Sequence, residues 1–204
     1  MIYLDTKHCG YDLECIGFPS VETCMAIVLE ANSWLVGWHA SSAPLDAMKL
    51  AAGTFRDYVG RMGGGGVFGA IRLYGVTHRH RSNDSTKDGA NHYIATELAA
   101  VAEVVGYHGR VSYFVLEVPR ADYVEFRRVG KGKPCKIYYQ SSGEVNYTPG
   151  KVTPSKTRHQ VIKPGTAQTA PLYGGDDDSA PIVTGVTGLN LHRLKESSWH
   201  NFDC

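Results

Sequence analysis

Apolar positions along the chain change period several times, and the changes predict its elements. CMAIVLE at 24–30 is a compact apolar run that predicts a strand. Asn32-Ser33 predicts a turn, and WLVGWH at 34–39 predicts a second strand. The period then becomes helical. Ser41 or Ser42 is suited to cap a helix, Pro44 to its first turn, and Asp46 to the positive end of its dipole. Leu45, Met48, Ala52, Phe55 and Val59 share one face of that helix. Burying such side chains contributes ~1.5–3 kcal/mol each, so packing alone accounts for the stripe.

Four glycines, Gly63 to Gly66, break the pattern, and VFGAIRLYGV at 67–76 predicts a strand. The polar loop THRHRSNDSTKDG follows. Residues 90–105 predict a helix with Ile94, Leu98, Val101 and Val105 on one face, and Gly106 and Gly109 bound its end. VSYFVLEV at 111–118 predicts a strand stopped by Pro119, and 122–129 another. CKIYYQSSGEVNYT at 135–148 predicts a hairpin turning at Ser141-Ser142-Gly143. From Pro149 to Pro181 the chain is rich in Pro, Gly, Thr and Ser, which predicts a long irregular segment. Residues 182–196 predict a strand and a short helix. No internal repeat is present. The order predicts an α+β fold with mostly antiparallel pairing. It predicts one domain over 1–204, with a core at about 20–148 and an irregular C-terminal segment at 149–204.

Composition changes this picture little. The 204 residues are 43% hydrophobic and 20% charged, with a net charge of +1, as in an ordinary globular chain. No apolar run approaches the roughly 18 residues of a membrane span. The N-terminal MIYLDTKHCGYDLEC lacks the apolar core of a cleaved signal. The expected location is the cytoplasm, or a target cell reached without such a signal. Five cysteines at 9, 15, 24, 135 and 204 form an odd, irregular set, so reduced thiols are expected rather than a disulfide framework or a zinc site.

The charged features have bland readings. His78, Arg79, His80, Arg81 and Lys87 read as a solvated loop, with a dinucleotide diphosphate or an acidic target as the functional alternative. No aromatic residues interleave with them, so a nucleic-acid platform draws little support. Asp176-Asp177-Asp178 reads as a surface run, since it lacks the spaced oxygen ligands of a calcium loop. The four glycines sit after a helix and before a strand, the reverse of a dinucleotide fingerprint.

The serial order carries more. WHAS at 38–41, AAGTF at 51–55, GGGGVFG at 63–69 and LYGVT at 73–77 together resemble the ADP-ribosyltransferases, particularly the toxin-like members that use histidine. ANHYIATELAAVAEVVGYHGRVSYFVLEV is similar to the next helix–strand unit of that family, and GEVNY offers a late glutamate. The resemblance spans about 35–148. Ala40 stands where the family has glycine, and no glutamate-x-glutamate pair surrounds Glu144. The resemblance implies a split antiparallel β-sandwich with flanking helices, and a bacterial toxin or effector that transfers ADP-ribose from NAD, releasing nicotinamide. It implies an acceptor, macromolecule or small molecule, a cognate inhibitor protein as partner, and no metal. His39, Ala40 and Ser41 would hold NAD, with His39 orienting a ribose. Tyr74 and Tyr93 would sandwich the nicotinamide ring, and Glu144 with His39 would be catalytic. Nicotinamide departure leaves an oxocarbenium-like centre, which a carboxylate stabilises, and a flat ring suits aromatic walls.

A rival reading uses a thiol. Cys24 opens one predicted strand and His39 ends the next, 15 residues later. A cysteine beside a histidine is a potential thiolate nucleophile. VETCMAIVLEANSWLVGWHAS is similar to the Cys/His segment of glutamine deamidases, the CheD-type chemoreceptor enzymes and the cytotoxic necrotizing factor toxins. Glu22-Thr23 stand where those proteins have Ser-Gly or Gly-Ser. A third reading is a non-catalytic module that binds NAD or a protein. Taken singly, every one of these residues also has a packing role.

Overall fold

The computed structural model describes residues 2–4, 6–19, 21–62, 69–82, 87–117, 121–141, 159–161 and 191–204. In chain order they form β1 (Ile2–Tyr3), β2 (His8–Asp12), β3 (Cys15–Pro19), β4 (Met25–Ala31), β5 (Leu35–Ala40), α1 (Leu45–Met62) and β6 (Ala70–His78). A 3-10 turn (Arg79–Arg81), α2 (Lys87–Val105), β7 (Arg110–Leu116), β8 (Ala121–Arg127) and β9 (Lys136–Ser141) follow. Then come β10 (His159–Val161), β11 (His192–Arg193), a second 3-10 turn (Glu196–Ser198) and β12 (His200–Asp203). The fold is α+β, built on two mixed sheets and two helices.

The larger sheet has the order β10-β2-β5-β4-β6-β7-β12, and the smaller has β1-β3-β8-β9-β11. The expected antiparallel sandwich needs correction at two joints. β1 pairs with β3, and β6 with β7, in parallel. The second joint has a clear cause: α2 carries the chain from the end of β6 back to the start of β7. A parallel neighbour needs such a crossover, whereas a tight turn makes it antiparallel. The β4–β5 hairpin is of the tight kind, and the Ala31 N–H donates to Trp34 O across its turn at 2.9 Å.

The layers follow from strand alternation. Met25, Ile27 and Leu29 of β4 and Trp38 of β5 pack with Met48, Phe55, Leu98 and Val101 of the helices. Ala26 and Val28 of β4 and Tyr74 and Val76 of β6 pack with Ile16, Phe18, Val124 and Ile137 of the smaller sheet. The larger sheet is therefore the middle of three layers and is buried on both faces. Close approach needs glycine here: a Cβ on Gly37 would lie 2.7 Å from Phe18, and one on Gly75 2.6 Å from Leu98.

The helical stripes expected from the sequence are largely buried. Met48, Ala52, Phe55 and Val59 face the sheet in α1, as do Ile94, Leu98, Val101 and Val105 in α2. Leu45 is exposed. α1 opens later than a Ser41 or Ser42 cap requires. Its first hydrogen bond runs from Met48 N–H to Pro44 O, because a residue before proline is driven towards extended backbone. Gly106 adopts a positive φ of 72°, and Tyr107 N–H reaches Ala102 O, closing α2.

Two further corrections concern extent. The core does not begin near residue 20: Ile2, Leu4, Cys9, Ile16 and Phe18 are all buried. Of the segment expected to be irregular, His159–Val161 forms a strand on the free edge of β2. The four-glycine break, Glu144 and Asp176 to Asp178 lie outside the described residues. Among the described residues no helix is long and apolar enough to cross a membrane.

Candidate active site

His39 sits near the end of β5, opposite Ala26 of β4. Its neighbours Trp38 and Ala40 face the helices, so its ring faces the smaller sheet. There it meets the edge of Phe18, with ring centroids 5.7 Å apart. The ring is fully buried, and Nδ1 lies 2.8 Å from Leu4 O. A carbonyl only accepts, so Nδ1 carries the proton. In the neutral ring the lone pair is then on Nε2, the tautomer a general base needs.

Cys24 immediately precedes β4, two residues before Ala26. The next residue, Met25, pairs with Ala40, so Cys24 and His39 lie at the same end of the β4–β5 ladder. A third segment joins them. Thr6 Oγ1 lies 3.8 Å from Cys24 Sγ, two residues after the carbonyl that holds His39. Cys24 is 8% exposed and follows the exposed Glu22 and Thr23, so it lies at the rim.

The backbone around this end is tied down. Thr77 Oγ1 donates to Cys24 O at 2.8 Å, and Lys7 N–H donates to His39 O at 2.8 Å. Lys7 has φ of 71°, the one non-glycine residue with positive φ among those described. Strain of that kind persists where the surrounding structure over-determines it, and it concentrates at functional sites.

Tyr74 is elsewhere. It is fully buried in the inter-sheet core, and its hydroxyl donates to Glu30 Oε2 at 2.6 Å. Cys135 N–H lies 3.0 Å from the same hydroxyl and 3.3 Å from Glu30 Oε2. Burial, then the nearby Cys135 and Glu30, push the Tyr74 hydroxyl far above its usual range. Tyr93 lies on α2, half-buried against the opposite, helix-facing core. Burial first, then the charge of Glu97, raise its pKa. The larger sheet stands between the two rings, so they do not form the expected sandwich. The cause is alternation: Tyr74 points away from the face that α2 covers.

Ala40 and Ser41 contribute backbone rather than side chain, since both carbonyls accept from Arg81. The basic loop is also different from the expectation. His78 is buried in β6, and Arg81 is buried in an ion pair with Glu97, 2.6 Å from Arg81 Nε to Glu97 Oε2. Arg79 is exposed. Leu4, Thr6 and Glu97 were not among the candidates, and Arg81 was named only as part of the basic loop. Glu97 carried a readable signal, for it interrupts the apolar stripe of Ile94, Leu98 and Val101, where a charge requires a buried partner.

Among the described residues no group of three or more His, Cys, Asp or Glu is arranged to hold a metal ion. No family model matches the chain, and no curated protein matches it.

Proposed function

We propose that the protein is a cysteine-dependent amide hydrolase, a glutamine deamidase, with Cys24 as nucleophile and His39 as general base. The observation that carries this reading is the shared N-terminal segment: Leu4 O fixes the imidazole tautomer while Thr6 sits against the thiol. A nucleophile, a base and a group that orients the base constitute the general triad logic, here with a main-chain carbonyl in the third place.

In this scheme His39 Nε2 takes the proton of Cys24 Sγ. The sulfur attacks the carboxamide carbon and forms a tetrahedral adduct. The adduct collapses to a thioester, and the imidazolium gives its proton to the departing ammonia. Water then attacks the thioester, again assisted by His39, releasing a carboxylate and restoring the thiol. All of this chemistry draws on side chains of the chain itself.

The ADP-ribosyl transfer expected from the resemblance gains less support. Its two tyrosines occupy opposite faces of the larger sheet. One experiment separates the readings. Wild type, Cys24→Ala and His39→Ala are incubated with a glutamine-containing protein mixture, and separately with NAD. The proposal expects ammonia release and amide-to-acid conversion by wild type, lost by about 10³-fold or more in each variant. Nicotinamide release that survives Cys24→Ala would instead establish the transferase.

A further inference from the structure

Arg81 is fully buried on the 3-10 turn that follows β6. A guanidinium has five N–H donors in a rigid planar fork, and here every one is used. Nε donates to Glu97 Oε2 at 2.6 Å, and Nη2 to Glu97 Oε1 at 3.1 Å. Nη1 donates to Thr23 O at 3.0 Å and to Ala40 O at 3.1 Å, and the second Nη2 hydrogen to Ser41 O at 3.3 Å. Met48 Sδ, 4.0 Å away, covers the remaining flank. No donor is left for a diphosphate.

The three carbonyls are not an arbitrary set. Thr23 precedes Cys24, and Ala40 and Ser41 follow His39. A single cation thus holds the chain on the outer side of both proposed reactive residues. Glu97, on α2, holds the cation in turn. Removing two charges from water is costly, and an apolar pair of like volume often serves stability as well. What an apolar pair cannot do is fix three carbonyls at set positions.

We infer that Arg81, locked by Glu97, is a positioning residue that sets the spacing of Cys24 and His39, an inference that rests on the thiol reading above. Lysine keeps the charge but has three donors and no fork, so it cannot replace the five hydrogen bonds that Arg81 makes. The loss is then one of alignment, and misplacement on the order of 1 Å costs about 10²-fold in rate.

The test is the rate of Cys24 alkylation by iodoacetamide across pH, resolved by peptide mass spectrometry, in wild type, Arg81→Lys, Glu97→Gln and His39→Ala. Near-UV circular dichroism and melting report the fold. The expected result is a fast wild-type reaction with a midpoint below that of a free thiol, about pH 8.5. In folded Arg81→Lys the rate at neutral pH falls by about 10²-fold and the midpoint returns towards the free-thiol value. Glu97→Gln moves the same way by less. A folded Arg81→Lys that reacts like wild type overturns the inference while the thiol reading stands. A wild-type Cys24 that reacts no faster than a free thiol, and is indifferent to His39→Ala, overturns that reading and the inference with it. Loss of fold in both Arg81→Lys and Glu97→Gln assigns the pair to stability and also overturns it.

Discussion

At the scale of single residues, Tyr74 and His39 show how the same burial serves different ends. Both are fully enclosed on the inter-sheet face. Tyr74 donates to the buried Glu30, which Cys135 N–H also approaches at 3.3 Å. Tyr74→Phe is expected to destabilise the fold by about 1–3 kcal/mol, since one buried acceptor loses its donor. Urea unfolding measures that cost, and Cys24 alkylation should stay at the wild-type rate. A large loss of alkylation with little loss of stability would return Tyr74 to the site. His39 instead donates from Nδ1 to the Leu4 carbonyl, a contact that fixes the tautomer of its ring.

At the scale of elements, the edges of the larger sheet decide what the chain can tolerate. β12 pairs with β7, with Phe202 opposite Val111, and covers a strand that would otherwise offer unpaired N–H and C=O groups. Tyr113 stacks on His200 at 5.1 Å, and Ser112 Oγ donates to Asn201 Oδ1 at 2.7 Å. Deleting residues 200–204 is expected to lower the melting temperature and to promote concentration-dependent association through β7, visible by light scattering. A truncated chain that shows no such association would mean that β7 needs no cover. The β6–α2–β7 crossover has a further consequence for the site. It delivers Arg81 and Glu97 to the end of the sheet where Cys24 and His39 lie.

At the scale of the whole molecule, the buried acids set a pH limit. Burial, with Glu125 close by, pushes the Cys15 thiol far above its ordinary value of 9.0, and burial with Glu30 does the same to Cys135. The hydroxyls of Tyr74 and Tyr123 rise likewise from 10.0, through burial and the neighbouring acids. Raised folded values mean that the unfolded chain loses these protons first. Their contribution is therefore complete below about pH 9 and drains away as pH rises above it. Thermal melting should fall progressively from about pH 9 to 11, with no matching loss from these groups between pH 6 and 8. A flat melting profile through that alkaline window would show that these groups ionise without unfolding.

Much of the central architecture was legible along the chain. The β4–β5 hairpin, both helices and their buried stripes follow from local period, because burial imposes a 3.6-residue or two-residue repeat on whatever segment packs against a core. So does the placing of Cys24 and His39 at one end of that hairpin. The N-terminal strands carried no such signal: β1 is too short to show a period, and β2 and β3 are buried on both faces, which hides alternation. Composition and periodicity thus determined a mixed α+β chain with a helix-covered sheet and a Cys/His hairpin. Tertiary structure alone decided that Leu4 and Thr6 meet that hairpin, that Tyr74 and Tyr93 face opposite ways, and that Arg81 is buried against the carbonyls of Thr23, Ala40 and Ser41. The physical reason is that a side chain's period reports which face it takes, whereas its partner depends on which distant segment covers that face.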